Sequence, residues 1–335
     1  MPALSYSKNG LKGRTMARGS TMRVILGLGI SALCMYLALR GANLAEVTAV
    51  VSAINPMYFL PMTSLLIGAF VLRAIRWKVL LEPVKTISVR SLFASTMIGF
   101  MANNVLPFRA GEIVRAYSIS RNESISVSSS LASLIVERIF DGVVISLFML
   151  PLVFFVSFPV WMVNVNYGLL VMYVLLIGAA IVLIWRRGRK TSGEGGGRWD
   201  KAIGNFTAGL EVCTNRRQIV WSGFLSLAHW LAIASYYYLL FLACGLRVPF
   251  LGAMVLVVTV AIGIMVPAAP GYVGNFEYFT VLGLSLFSVP KGEALGYSLV
   301  AHAGQFIPVT AIGLLYLFRQ SAGLSQLDVR ERQRA

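Results

Sequence analysis

Charge is scarce in this chain, and negative charge scarcest: 13 Asp and Glu stand against 29 Lys and Arg in 335 residues, and only 13% of all residues are charged. Soluble domains carry about a quarter charged residues, so a water-solvated globular domain is excluded for most of the length. Cysteine is nearly absent, with Cys34, Cys213 and Cys244 far apart and without CxxC spacing. Neither a disulfide framework nor a zinc site follows, and no metal or other cofactor is expected. Missing too are a nucleophile elbow, a phosphate-binding glycine loop and a dinucleotide fingerprint, so enzymatic catalysis is not expected.

What fills the chain is apolar: 57% of residues are hydrophobic, and the mean hydropathy is +0.76. Apolar windows approaching the roughly 20 residues that cross a bilayer core recur at Val24 to Leu39, Met57 to Leu72, Val127 to Phe155, Tyr167 to Trp185, Ile219 to Ala243 and Ala294 to Phe318. The net charge of +16 could suggest nucleic acid. Its Lys and Arg cluster at the ends of these windows instead of forming one basic domain, which suits topology signals and anionic headgroups, and no nucleic acid is expected as partner.

Positive charge orients the windows. Residues 1–22 read as a disordered basic N-terminus on the inside, and residues 23–319 as one transmembrane domain. Gly41 to Asn55 and Phe158 to Asn166, which lack Lys and Arg, read as external loops. Arg73, Arg76, Lys78, Lys85 and Arg90 read as delivered to the inside, with Trp77 at the interface, as does the loop 186–217, which has room for an interfacial helix from Trp199 to Arg217. The tail 320–335 is expected in the cytoplasm, so both termini lie inside the inner or plasma membrane.

Two apolar regions are interrupted. Residues 91–121 contain Asn103, Asn104, Pro107, Arg109, Gly111, Glu112 and Arg115, and residues 250–288 contain Pro267, Pro270, Gly271, Gly274, Asn275 and Glu277. Proline and glycine break helices, so each region is expected to be a re-entrant helical hairpin with these residues as tip and hinge. The expected fold is therefore an all-α polytopic membrane protein with about six full spans plus two hairpins. Pro107 and Gly111 match Pro267 and Gly271 in spacing, and Ser133-Leu134 before Glu137 matches Ser298-Leu299 before His302. These matches suggest an inverted repeat, in which paired broken helices mark a transporter's binding site.

Charges inside a membrane are costly and mark function or internal pairing. Glu112 and Arg115 are spaced i,i+3 and Glu137 and Asp141 i,i+4, with Arg109 and Arg138 as the counter-charges. One reading is that the arginines bind a phosphate-bearing lipid headgroup through bidentate contacts; the other is salt bridges that lock helices together. His302, alone on its span, fits a helix-to-helix hydrogen bond or a proton relay.

Three ordered segments carry a resemblance: Asn104-Val-Leu-Pro-Phe-Arg109-Ala-Gly-Glu112-Ile-Val-Arg115, Leu134-Ile-Val-Glu137-Arg-Ile-Phe-Asp141 and Pro270-Gly-Tyr-Val-Gly274-Asn-Phe-Glu277. Over about Val24 to Phe318 the chain resembles the flippase-like transmembrane region of lysylphosphatidylglycerol synthases. The resemblance implies movement of polar lipids between leaflets, with a membrane lipid as substrate. The sequence ends at Ala335 without room for the soluble synthase domain, so lysine transfer is not implied. Phospholipids, lipid-linked sugars and hopanoids remain open as substrates. The alternative is a membrane-embedded transferase or an accessory subunit beside a lipid-modifying enzyme or glycosyltransferase. On either reading the candidate binding set is Asn104, Arg109, Glu112, Arg115, Glu137, Arg138, Asp141, Asn275, Glu277 and His302.

Overall fold

A computed structural model describes residues 9–106, 109–189, 204, 206, 210 and 215–334; of these, the side chains of 9–21, 23–24, 183–189 and 321–334 lie outside the description. Pro107 falls outside the described residues, and so does most of the proposed interfacial segment from Trp199 to Arg217.

The described residues form helices without strands. In chain order these are α1 (Asn9–Leu39), α2 (Leu44–Ser52), α3 (Phe59–Leu81), α4 (Val89–Val105), α5 (Gly111–Glu123), α6 (Val127–Leu152), α7 (Val160–Arg189), α8 (Arg216–Ala243), α9 (Phe250–Met265), α10 (Asn275–Ser285) and α11 (Lys291–Arg334). This is an all-α polytopic membrane fold. Stretches within α3, with the turn before it, α7, α8 and α11 are long and apolar enough to cross a bilayer. α1 and α2 form a pair bent by 90° that counts as a fifth if it is one span. α6 has the length, at 26 residues, but carries Glu137, Arg138 and Asp141 along its middle.

Several sequence expectations change. α2 occupies most of the stretch read as a loop between Gly41 and Asn55, started by Asn43, whose side chain accepts from the Ala45 N–H. α7 begins at Val160, inside the second expected loop. The second window runs on to Leu81, nine residues past Leu72, because no breaker intervenes before Pro83. Arg73, Arg76 and Trp77 therefore lie inside the protein, 3%, 0% and 0% exposed.

Both interrupted regions fold as helical hairpins, α4 with α5 and α9 with α10, and each is followed by a long helix, α6 or α11. An asparagine staples each hairpin from opposite limbs. Asn103 on α4 accepts from the Gly111 N–H at 2.8 Å, while Asn275 on α10 donates to the Gly263 carbonyl at 3.2 Å. Gly111 can sit there because its backbone lies against the Gly99 carbonyl, where a Cβ would collide. The second tip needs Gly271 at φ 70° and Gly274 at φ 89°, a region that side chains disfavour. Arg109 takes φ 54° at the first tip without being glycine, a conformation uncommon for such a residue.

Candidate functional site

Four helices converge on one ionic cluster. Arg73 and Arg76 come from α3, Arg115 from α5, Glu137, Arg138 and Asp141 from α6, and Ser226, His229 and Trp230 from α8. Arg73 with Arg76, and His229 with Ser226, are spaced three apart, so each pair shares a helix face.

Glu137 is the hub. Arg115 grips it with two bonds, Nη1 to Oε1 at 2.8 Å and Nη2 to Oε2 at 3.0 Å. Arg73, Arg76 and Arg138 also reach Oε1, at 3.2, 3.3 and 3.1 Å. Asp141 is bound by Arg76 at 2.5 Å and Arg73 at 3.1 Å, and accepts from the Trp230 indole at 3.0 Å. The Arg115 guanidinium lies over the Trp77 ring, 3.8 Å from its centroid, and the Trp77 N–H donates to Ser133 at 2.9 Å. Burying a charge is expensive, and this arrangement offsets the cost with paired charges and directed donors.

His229 has a definite protonation pattern. Its Nε2 faces the Arg73 guanidinium, which only donates, at 3.0 Å, and its Nδ1 faces the Ala69 carbonyl, which only accepts, at 2.8 Å. It is the neutral tautomer with the hydrogen on Nδ1.

The sequence-predicted residues divide. Arg115, Glu137, Arg138 and Asp141 belong to the cluster, and Glu112 joins its rim through Arg138 at 3.2 Å, not through the i,i+3 partner Arg115. Arg109 is not a counter-charge to Glu137 and Asp141: it lies over the Tyr272 ring at 5.5 Å, linking the two hairpin tips. Asn104 donates to Thr310 on α11 at 2.8 Å. Glu277 accepts from the Gly274 N–H at 2.6 Å and meets His302 Nδ1 at 2.5 Å, so His302 has an ionisable partner that the sequence left unassigned. Arg73, Arg76 and His229 were missed as members. Spacing was a signal for Arg73 alone: Leu66, Phe70, Arg73, Trp77 and Leu80 form one helical stripe, all buried.

A cavity of about 580 Å³ lies between the two hairpin units, within the usual range of about 300–1,000 Å³ for ligand sites. Arg109, Glu112 and Arg138 line it together with Tyr272 and His302 of the second unit. Its walls are otherwise mainly apolar, with Ile135, Ile139, Leu169, Leu176, Val257 and Ile264 among them. Arg138 is 43% exposed at the side chain, in contrast to 0% for Arg76, 1% for Arg115 and 3% for Arg73, so it is the cluster arginine most open to a ligand. Among the described residues no group of His, Cys, Asp and Glu could hold a metal ion.

Polytopic helices, two broken hairpins and a buried ionic cluster beside a mainly apolar cavity define a multi-pass membrane protein. The chain belongs to the family of the lysylphosphatidylglycerol synthase TM region, whose model matches residues 24–313. Its relatives include a UPF0104 membrane protein of Methanothermobacter thermautotrophicus, 26% identical over 74% of this chain and 79% of the relative. Another UPF0104 membrane protein, from Methanocaldococcus jannaschii, is 22% identical over 90% of this chain and 94% of its own length. Glycosyltransferase AglD of Haloferax volcanii is 30% identical over 122 residues, which is 35% of this chain and 19% of that protein. No solved structure matches the chain.

Proposed function

We propose that the chain is a lipid translocase that moves a polar, phosphate-bearing lipid between the leaflets of the inner or plasma membrane, with both termini cytoplasmic. The observation that carries this reading is the cavity's chemistry: apolar walls for acyl chains, with reachable arginines beside a buried carboxylate network. Charge supports it. In the cluster, Arg73, Arg76, Arg115 and Arg138 stand against Glu112, Glu137 and Asp141, and Arg109 adds a further cation at the mouth. The excess is positive, as an anionic headgroup requires.

On this reading Arg109 and Arg138 hold the phosphate. Arg73, Arg76 and Arg115 hold Glu137 and Asp141, which fix the site's shape. The second oxygen of Glu112 is buried without a hydrogen-bond partner, and it suits a headgroup hydroxyl or amine. Asn104, Asn275, Glu277 and His302 act at the hairpins. Tip-to-tip contact through Arg109 and Tyr272 gives the two units a joint that can open and close around the lipid, as expected of inverted repeats.

The test is reconstitution in liposomes with headgroup-labelled anionic and zwitterionic lipids, following leaflet exchange by dithionite quenching and lipid mass by mass spectrometry. Wild-type protein should accelerate exchange of intact anionic lipid, and Arg138→Gln and Arg109→Ala should each slow it at least tenfold. No acceleration for any lipid, or a change in lipid mass, would overturn the reading. A second reading, a subunit or membrane-embedded transferase serving lipid-linked glycan synthesis, draws on the partial likeness to a glycosyltransferase. It predicts lipid modification, or activity only with a partner enzyme.

A further inference from the structure

The two histidines are bound in opposite ways. His229 faces one donor and one acceptor, and a neutral ring satisfies both. His302 faces an acceptor on each side: Nε2 is 2.8 Å from the Gly271 carbonyl, and Nδ1 is 2.5 Å from Glu277 Oε1. A carbonyl never donates, so Nε2 carries a hydrogen. That leaves Nδ1 against a carboxyl oxygen at hydrogen-bond distance. With a neutral ring and an ionised Glu277, two lone pairs would face each other there. One extra proton is required, whether it resides on the ring or on the carboxyl, and the count is the same in both cases.

We propose that Glu277 and His302 form a proton-binding site that couples the second hairpin to α11, and that this proton is the coupling ion of transport. The inference rests on the translocase reading. Both partners hold the hairpin tip. Glu277 Oε2 accepts from the Gly274 N–H at 2.6 Å, and His302 donates to Gly271, the two glycines at positive φ. Loss of the proton to solvent removes the attraction between α10 and α11 and places like electron pairs together. Release of the tip follows, and with it the Tyr272 ring that meets Arg109 at the other tip.

The surroundings suit a single exchangeable proton. His302 is stacked on Phe276, with centroids 4.6 Å apart, and meets the Phe306 ring edge-on. Nearby titratable groups are Tyr236, whose hydroxyl donates to the Ala301 carbonyl, and Tyr237, both on α8, with Tyr272 at the tip. Arg109 and, across the cavity, Arg138, Glu112, Arg73 and Asp141 are the charged groups that share this space, with His229 beside them; the polar groups from α4 are the amides of Asn103 and Asn104.

Two measurements on the full chain decide the matter. With ¹⁵N-histidine labelling and His229→Asn, a single histidine spectrum remains, because the chain has two histidines. Nδ1 should show a bound or shared proton, and Glu277→Gln should remove it. A bare Nδ1 beside the wild-type Glu277 overturns the proton site. In proteoliposomes, an imposed pH gradient should change the wild-type lipid exchange rate at least threefold and leave His302→Gln, which cannot titrate, indifferent. Wild-type exchange that ignores the gradient overturns the coupling. Wild-type protein that moves no lipid removes the translocase reading and the coupling with it, while the nitrogen spectrum still decides the proton site.

Discussion

The two hairpin units share a plan and differ in chemistry. In the first, α6 is tied to its hairpin by a base on the hairpin and an acid on the long helix, Arg115 with Glu137. In the second the polarity reverses, with Glu277 on the hairpin and His302 on α11. The first junction is surrounded by permanently charged guanidiniums from α3 and α6; the second stands apart, against aromatic rings. Arginine does not lose its proton at physiological pH, whereas histidine does. On the proposed reading the first unit holds charge fixed and the second changes it, a stable binding site beside a movable joint.

The comparison can be broken by treating both junctions alike. Glu137→Ala should be the most damaging change, because it leaves the buried Arg115 without its carboxylate and takes one of two partners from Arg73 and Arg76, at a cost of about 3–5 kcal/mol. Glu277→Gln, which can still accept from Gly274, should cost no more than about 2 kcal/mol. Thermal unfolding in detergent should show the first variant failing to give monodisperse protein and the second folding. Equal losses would mean that the two junctions are structural equivalents.

The tips come next in magnitude. Gly111→Ala sets a Cβ against the Gly99 carbonyl, and Gly274→Ala sets one against the Ser31 carbonyl on α1 while holding positive φ. Each should destabilise by about 1–3 kcal/mol, measurable as a lowered melting temperature. Tolerance of alanine at either would show that this hairpin is looser than its partner. Smallest in stability is Arg109→Ala, an exposed contact to Tyr272, which should shift unfolding by less than about 0.5 kcal/mol while slowing lipid exchange. A large stability loss would recast Arg109 as a structural pin.

Much of the plan was legible. Proline and glycine at fixed spacing located both hairpins, because a broken helix must be written into the backbone chemistry of its own residues. Glu137, Arg138 and Asp141 announced a cluster of buried charge, because charge in an apolar run needs partners. The partners were harder. Arg73 and Arg76 sit where a basic helix end belongs under the positive-inside rule, and nothing local separates an arginine that leaves the membrane from one that turns inward to a carboxylate. Glu112 had Arg115 in reach by spacing and paired instead with Arg138 of α6, which packing supplied.

By itself, then, the sequence determined the solvent, the helices, the two breaks and the presence of buried charge, all properties carried by single residues or by neighbours a few positions apart. Only the tertiary structure decided which charges meet. Arg73 reaches Glu137 across 64 positions and His229 across 156; such pairings depend on how α3, α6 and α8 pack, since electrostatic energy depends on distance in space and not along the chain.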